Sequence, residues 1–177
     1  DRPPTLLDVS AGLPEGDPSM LSAVPATPDD GEDLLRWIYY TSGTTSDPKG
    51  VLHTDASLMA GGVGLAMALD MQPDDVGSIA FPYAHIGGPD YLVCLLANGF
   101  PAVLLEKFDL MVAIDEFRRH GVTMAGGTTV FYTMFLGVQR QQPDEPIIPT
   151  LRMLSGGGAP KPPEVFFEVQ AEMGIPV

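Results

Sequence analysis

Residues 40–51 concentrate the side-chain types that bind phosphate. They hold serines, threonines, glycines and one lysine, Lys49, and they follow an aromatic and β-branched run, residues 35–40, that predicts a strand. Hydroxyl donors, unobstructed backbone N–H groups and a cation are what a polyphosphate needs from a protein. A Ser/Thr/Gly-rich surface turn is the plainer alternative. The composition favours a phosphate-binding loop, which we expect to connect a strand to a helix.

The order of residues in this loop argues against a P-loop. A P-loop needs glycine before its lysine and, after it, a serine or threonine whose hydroxyl binds Mg²⁺. Here Pro48 precedes Lys49 and Gly50 follows it. A Ras-like or kinase-like protein is therefore not expected.

The segment from Tyr40 to Val51 resembles a family signature, Tyr-Thr-Ser-Gly-Thr-Thr-Gly-x-Pro-Lys-Gly-Val. It belongs to the superfamily of AMP-forming acyl-CoA synthetases, luciferases and adenylation domains. Ten of the eleven comparable positions agree, and the exception is Ser46, where the family usually has glycine. The resemblance implies an enzyme that joins a carboxylate to ATP and then transfers the acyl group to CoA.

Two further segments resemble family motifs in the same order. Residues 82–88, PYAHIGG, are similar to the Pro-x-x-His-x-x-Gly segment beside the acyl substrate. Residues 154–160, LSGGGAP, are similar to the segment that packs on adenine, with Lys161 in place of the usual leucine. The resemblance covers about residues 34–177 and implies a fragment of the large N-terminal domain.

The resemblance also implies roles for individual residues. His85 is the expected catalytic residue, at the carboxylate end of the acyl tunnel. The positions expected to grip the β- and γ-phosphates of ATP are Thr41, Ser42, Gly43, Thr44, Thr45 and Lys49. The positions expected to face adenine are Gly157, Gly158, Ala159 and Pro160. The implied cofactors are ATP and Mg²⁺, with CoA as co-substrate, and no metal ligand is assigned because the family's Mg²⁺-binding glutamate is expected beyond Val177.

The residues around His85 bear on the substrate. Amino-acid-activating relatives place an aspartate near this segment, because a buried ammonium needs a carboxylate partner. Residues 82–85 offer none, and Asp90 is expected at a helix start. We therefore expect a fatty or other hydrophobic carboxylic acid, with chain length and oligomeric state left open. Val63, Met67 and the turn 126–129 are interpreted either as tunnel wall or, for the first two, as core.

Two alternatives to a CoA ligase stay open. A fatty-acyl-AMP ligase would deliver its adenylate to a carrier protein, and a degenerate relative would act as a non-catalytic binding module. The sequence begins with Asp1 and lacks several family motifs, so we expect a piece of a longer protein that is inactive by itself.

Composition excludes several classes of protein. The 177 residues carry 9 Lys+Arg against 23 Asp+Glu, a net charge of −14 that argues against nucleic acid as a partner. Cys94 is the only cysteine, which excludes an internal disulfide and predicts a buried thiol. No apolar run is long enough to span a membrane. We expect a cytoplasmic protein, with peripheral membrane association left open.

The charge is concentrated at the start of the chain. Residues 1–33 hold eight acidic residues, one basic residue and six prolines. Such a segment buries too little apolar surface to offset its ordering entropy, so we predict an exposed connector, with one weak strand near residues 5–9.

From residue 34 onward the pattern predicts alternating strands and helices. The predicted strands are 35–40, 78–81, 102–105, 122–125 and 151–154, with another beginning at Val177. The predicted helices are 54–70, 90–98, 110–120, 129–139 and 162–173. This alternation is typical of an α/β fold with a mostly parallel sheet and helices on both faces. Asp74 and Asp75 are predicted to form a solvated turn.

Overall fold

The computed structural model describes residues 35–41, 47–80, 83–157, 160 and 162–177. The predicted connector, residues 1–33, lies outside the described residues, and so does the strand expected near residues 5–9. The same holds for six of the predicted site residues: Ser42, Gly43, Thr44, Thr45, Gly158 and Ala159. Ser46 and Lys161 are likewise outside the described part.

Strands and helices alternate along the described chain, as predicted. The strands are β1 (Leu35–Thr41), β2 (Lys49–Thr54), β3 (Gly77–Ile79), β4 (Ala102–Leu104), β5 (Met124–Gly127) and β6 (Met153–Gly156). The helices are α1 (Asp55–Ala68), α2 (Gly87–Asn98), α3 (Leu110–His120), α4 (Thr129–Gln139) and α5 (Pro163–Met173). In the described chain β3–β6 form a parallel four-stranded sheet, which confirms the predicted α/β class.

The strand order of this sheet is β4-β3-β5-β6. Successive strands are therefore added first on one side of β3 and then on its other side. From β3 the chain moves outward to β4, and from β4 it returns past β3 to β5. Right-handed crossovers in opposite directions place their helices on opposite faces of the sheet. Two separate apolar clusters agree with this, one joining α3, α4 and α5 and the other joining α2 with β3.

The prediction that residues 40–51 connect a strand to a helix is wrong. Lys49 begins β2, which pairs antiparallel with β1 as a two-stranded sheet, so this segment joins two strands. Thr41 lies opposite Lys49 in this hairpin. The helix follows only after β2, where Thr54 caps α1 by accepting a hydrogen bond from the N–H of Ser57 at 3.0 Å. His53 also lies in β2.

Two other predicted strands are displaced in the structure. β5 and β6 each begin two residues later than predicted and run into glycines, because Gly126 pairs with Ser155 and Gly127 with Gly156. The apolar residues that suggested earlier starts, Val122 and Leu151, are buried just before the strands. The strand expected to begin at Val177 stays a prediction.

Helix α1 packs on α2 through its glycines rather than through its methionines. At Gly62, a Cβ atom would lie 2.8 Å from the backbone nitrogen of Cys94, so only glycine permits this approach. The interpretation of Val63 and Met67 as core is wrong, since they are 44% and 78% exposed, and their assignment to the tunnel wall stays a prediction. Cys94 is fully buried, as predicted.

The prediction of a solvated turn at Asp75 is also wrong. Asp75 is 2% exposed and accepts hydrogen bonds from the Arg152 guanidinium (Nε to Oδ1, 2.8 Å), the Thr123 hydroxyl (2.6 Å) and the Gln72 N–H (2.7 Å). Burial alone would raise its pKa, but these hydrogen bonds and the Arg152 charge outweigh it and lower the pKa to about 2. The three side chains precede β3, β5 and β6, so they join three strands at their amino ends.

Candidate active site

The opposite, carboxyl edge of the sheet carries a cavity with a volume of about 520 Å³, which we call the central cavity. Its walls come from segments that follow three parallel strands: His85 and Ile86 after β3, Thr128 after β5, and Gly157 after β6. In open α/β sheets, ligands bind outside the carboxyl ends of the strands where the strand order reverses. The cavity lies at such a reversal, between β3 and β5.

Most of the cavity lining is apolar. Leu65 of α1, Leu69 just after α1 and Ile86 before α2 line it together with Gly156 and Gly157 at the end of β6. An apolar cavity with few polar groups fits the body of a small organic ligand whose polar end is held elsewhere.

A second cavity lies beside the hairpin. This hairpin cavity has a volume of about 460 Å³ and is lined by Tyr39, Tyr40, Thr41, Pro48, His53, His85 and Ile86. His85 and Ile86 therefore face both cavities. The end of the predicted phosphate loop and the apolar cavity meet at the predicted catalytic histidine.

The His85 ring is oriented by the start of α2. Its Nδ1 accepts a hydrogen bond from the N–H of Gly87 at 3.1 Å. When the ring is neutral, this bond assigns the proton to Nε2, which can then donate to an oxygen atom. The exposed ring presents this donor where the two cavities meet.

Two of the predicted phosphate-binding residues, Thr41 and Lys49, lie in the described part of the chain. Thr41 lines the hairpin cavity, and Lys49 lies exposed across from it in β2. Among the residues that the structure describes, Lys49 has no ion pair. The hairpin is tied to α1 by Asp55, which accepts a hydrogen bond from Trp37 Nε1 at 2.8 Å and pairs with Arg36 Nε at 3.1 Å.

The predicted adenine-facing segment continues from β6. Gly157 lines the central cavity, and the carbonyl oxygen of Pro160 accepts a hydrogen bond from the Thr129 hydroxyl at 3.0 Å. Just before it, a Cβ atom at Gly156 would lie 1.7 Å from the carbonyl oxygen of Gly127. Only glycine allows β5 and β6 to approach so closely at the cavity wall.

Two polar groups of α2 line the same cavity. Burial raises the pKa of Tyr91 to about 12, against a hydrogen bond with Ser155 that lowers it, so the hydroxyl stays protonated. Burial also raises the pKa of Asp90, and the nearby charge of His53 only partly opposes this. Asp90 lies one turn inside α2, which begins at Gly87 rather than at the predicted residue 90.

The structure brings together three of the predicted residues that it describes, whereas Pro160 lines neither cavity. Thr41, His85 and Gly157 line the two adjoining cavities, with Lys49 across the hairpin from Thr41. Sequence reasoning did not identify Asp90 and Ser155 as cavity residues. Asp90 follows Ile86 by four residues, one helical turn, which would have placed it near the cavity, and Ser155 lies within the segment 154–160 but was given no role.

Metal and membrane features can be assessed only for the described residues. Among them, no group of three or more His, Cys, Asp or Glu side chains is arranged to hold a metal ion. No helix within the described ranges is long and apolar enough to cross a bilayer.

Comparison with known proteins provides independent information on the family. The model of the family described as AMP-binding enzyme matches residues 4–177. A 2-succinylbenzoate–CoA ligase of Bacillus cereus is 34% identical over 142 residues, which cover 79% of this chain and 28% of that protein. The enzyme of the same name from Bacillus pumilus is 34% identical over 140 residues, with the same coverage.

Solved structures resemble the fold as well. The O-succinylbenzoate CoA synthetase of Bacillus subtilis in complex with ATP and magnesium ion is 30% identical, with a TM-score of 0.70 over 82% of this chain and 29% of that chain. The inhibitor-bound N-terminal domain of FACL13 from Mycobacterium tuberculosis is 26% identical, with a TM-score of 0.71 over 86% of this chain and 38% of that chain. The chain spans 28% of the length of the curated relatives it matches.

Proposed function

Since the chain belongs to the AMP-binding enzyme family, we propose that it carries part of the active site of an AMP-forming carboxylic acid–CoA ligase. The observation that supports this most directly is the position of His85, which lies where the apolar central cavity meets the hairpin cavity. A carboxylic acid in the first cavity would then direct its carboxylate toward phosphates held at the second.

The proposed reaction has two steps. A carboxylate oxygen attacks the α-phosphorus of ATP, a new O–P bond forms, and the bond to the β-phosphate oxygen breaks to release pyrophosphate. The CoA thiolate then attacks the acyl carbon, a C–S bond forms, and AMP leaves with the former carboxylate oxygen. Both steps depend on alignment of the reacting atoms and on neutralisation of phosphate charge.

The chain's own residues contribute binding and orientation in this proposal. Nε2–H of His85 donates to the carboxylate or to an α-phosphate oxygen, since Nδ1 is held by Gly87. Lys49 and the hydroxyl of Thr41 hold the β- and γ-phosphates, and Gly157 lies against the adenine, where a missing side chain leaves room for the ring. Mg²⁺ would supply charge neutralisation together with ATP.

The proposed substrate is a hydrophobic carboxylic acid. The apolar lining by Leu65, Leu69 and Ile86 supports it. The names of the relatives specify an aromatic acid, 2-succinylbenzoate, and not a fatty acid. Of the expected fatty or other hydrophobic acids, we therefore include acids with an aromatic body as well as those with an aliphatic one.

The test is ATP–pyrophosphate exchange by the full-length protein with a panel of carboxylic acids, followed by thioester formation on CoA. Exchange that depends on an added hydrophobic acid, together with an acyl-CoA product, is the expected result. Exchange with no CoA thioester would instead identify a ligase that delivers to a carrier protein. No exchange with any acid would contradict the proposal and favour a non-catalytic binding module.

A further inference from the structure

Two buried tyrosines approach the end of β6 from opposite faces of the sheet. Tyr91 of α2 belongs to the apolar cluster that joins α2 with β3. Tyr132 of α4 belongs to the cluster that joins α3, α4 and α5. Burial raises the pKa of both phenols, so both hydroxyls stay protonated and are able to donate a hydrogen bond.

The two hydroxyls meet consecutive residues of the strand. The Tyr91 hydroxyl shares a hydrogen bond with the Ser155 side chain. The Tyr132 hydroxyl lies against Gly156, since a Cβ atom there would be 2.6 Å from its oxygen. Successive residues of a strand point to opposite faces of the sheet, so a helix on each face can reach one of two neighbouring positions. The last two residues of β6 are thus contacted from both sides, immediately before Gly157.

The chain beyond β6 is also bonded to α4. The Thr129 hydroxyl donates to the carbonyl oxygen of Pro160 at 3.0 Å. Thr129 and Tyr132 are three residues apart, so they lie on the same face of α4. One helix therefore contacts the chain on both sides of Gly157, at Gly156 and at Pro160.

A purely structural role is the first alternative to consider. Buried tyrosines often fill a core, but a phenylalanine fills nearly the same space without a hydroxyl that needs a partner. Here both hydroxyls contact one short stretch of β6, which continues into the glycines that line the central cavity, Gly156 and Gly157. Glycine has the largest backbone freedom of all residues, so the conformation at this wall must be fixed by side chains of other elements.

We propose that Tyr91 and Tyr132 are positioning residues for the nucleotide, which fix the end of β6 so that the backbone of Gly157 lies against the adenine base. This inference rests on the proposed function and adds to it two residues that do not touch the reacting atoms. Loss of either hydroxyl should weaken the binding of the adenine part of ATP. The phosphates bind at the hairpin, and Tyr91 is 2% exposed, so its hydroxyl offers a bound acid almost no surface.

The test measures the kinetic constants of ATP–pyrophosphate exchange by the full-length protein separately for each ligand. For Tyr91→Phe and for Tyr132→Phe, we expect the KM for ATP and the inhibition constant of adenosine to rise about three- to tenfold, as for the loss of one neutral hydrogen bond. The KM values for pyrophosphate and for the carboxylic acid should stay close to those of the wild type. A residue that only stabilises the fold would not separate the nucleotide from the other two ligands.

Variants of the partner residue and a matched control complete the test. Ser155→Ala should repeat the effect of Tyr91→Phe, and the double variant should be no worse than either single one, because both changes remove the same hydrogen bond. Ser155→Thr keeps a hydroxyl and should retain most of the affinity for ATP. Thr150→Val removes the hydrogen bond that the Thr150 hydroxyl donates to the carbonyl oxygen of Val122 at 2.8 Å, at the amino ends of the strands, and should leave all three KM values unchanged.

The outcomes distinguish this inference from the proposed function. Wild-type constants for ATP and adenosine in both phenylalanine variants would overturn the positioning role and leave the ligase intact. A loss of thermal stability with equal changes in the KM of every ligand would reduce the two tyrosines to core residues and overturn it likewise. No exchange with any acid would overturn both proposals.

Discussion

At the scale of single residues, the proposed site contains polar groups without a partner in the described part of the chain. Lys49 is exposed and without an ion pair in the described chain, and His85 has one ring nitrogen engaged and one available. Asp75 shows the opposite pattern, since the protein itself satisfies both carboxylate oxygens. Residues that bind ligands and residues that stabilise the fold can thus be separated by asking which polar atoms are already bonded.

Replacement of Lys49 by alanine tests the phosphate-binding role. A charge-assisted hydrogen bond contributes roughly 1.5–3 kcal/mol, so we expect kcat/KM for ATP in pyrophosphate exchange to fall about 10- to 150-fold. Lys107→Ala is the matched control, because Lys107 is exposed and lies outside both cavities. Equal activity of the two variants would contradict a role for Lys49.

Replacement of His85 by alanine tests the donor between the cavities. We expect a loss of roughly 10- to 100-fold in exchange activity, because one hydrogen bond to a charged oxygen is removed. His120→Ala serves as the control, since that histidine pairs with Glu116 at 3.3 Å on the exposed end of α3. Full activity of His85→Ala would remove this residue from the site.

At the scale of elements, close backbone approach positions the helices and strands that carry the site. Gly62 permits the contact of α1 with α2, and Gly156 permits the contact of β5 with β6. Both contacts adjoin segments that line the central cavity. A hydrophobic-periodicity analysis assigns the buried face to large side chains, so it does not detect a helix interface built on glycine.

Two glycines of α1 provide a matched test of this packing. Gly62→Ala places a methyl group 2.8 Å from the Cys94 backbone nitrogen, and we expect it to lower the free energy of unfolding by about 1–3 kcal/mol. Gly64→Ala meets no atom within 4 Å and should instead raise that free energy by about 0.5–1 kcal/mol through helix propensity. Urea unfolding of both variants measures the difference, and the same sign for both would contradict the packing described.

The Asp75 and Arg152 pair connects the amino ends of the sheet strands. Asp75→Asn leaves the guanidinium without its charge partner, and we expect a loss of about 3 kcal/mol in the free energy of unfolding. Asp74→Asn is the neighbouring control, because Asp74 is exposed, and should change stability by less than about 0.5 kcal/mol. A result for Asp75→Asn within the range of the control would show that the pair is not a stability determinant.

At the scale of the whole molecule, the same pair makes stability depend on pH. The folded-state pKa of Asp75, about 2, lies below the ordinary value of 3.8. Its stabilisation is therefore complete above the ordinary value and is lost as the pH falls toward 2, a change of about 2 kcal/mol. The difference in unfolding free energy between wild type and Asp75→Asn should shrink by that amount between pH 5 and about pH 2. A difference that stays constant over this range would contradict the lowered pKa.

Local signals were sufficient for much of the fold. Helix α3 follows the prediction because Asp109 accepts hydrogen bonds from Met111 and Val112 at its start and Gly121, with φ of 63°, ends it. The resemblance carried by residues 40–51 indicated the family that the comparison supports. Helix caps and contiguous motifs depend on residues that are close together in the chain, so they can be predicted from the sequence without knowledge of tertiary contacts.

Tertiary structure decided what depends on residues far apart in the chain. Asp75 was predicted to lie in a solvated turn, yet its partner is 77 residues away and makes it a buried structural group. Asp90 was predicted only as a helix start, and packing placed it against Gly61 at the wall of the central cavity. The sequence by itself determined the α/β class, the family and the concentration of hydroxyl groups, glycines and one lysine in residues 40–51. Packing determined which polar groups are bonded within the protein and which face a cavity. Burial and hydrogen bonding at these sites arise only when segments distant in the sequence meet.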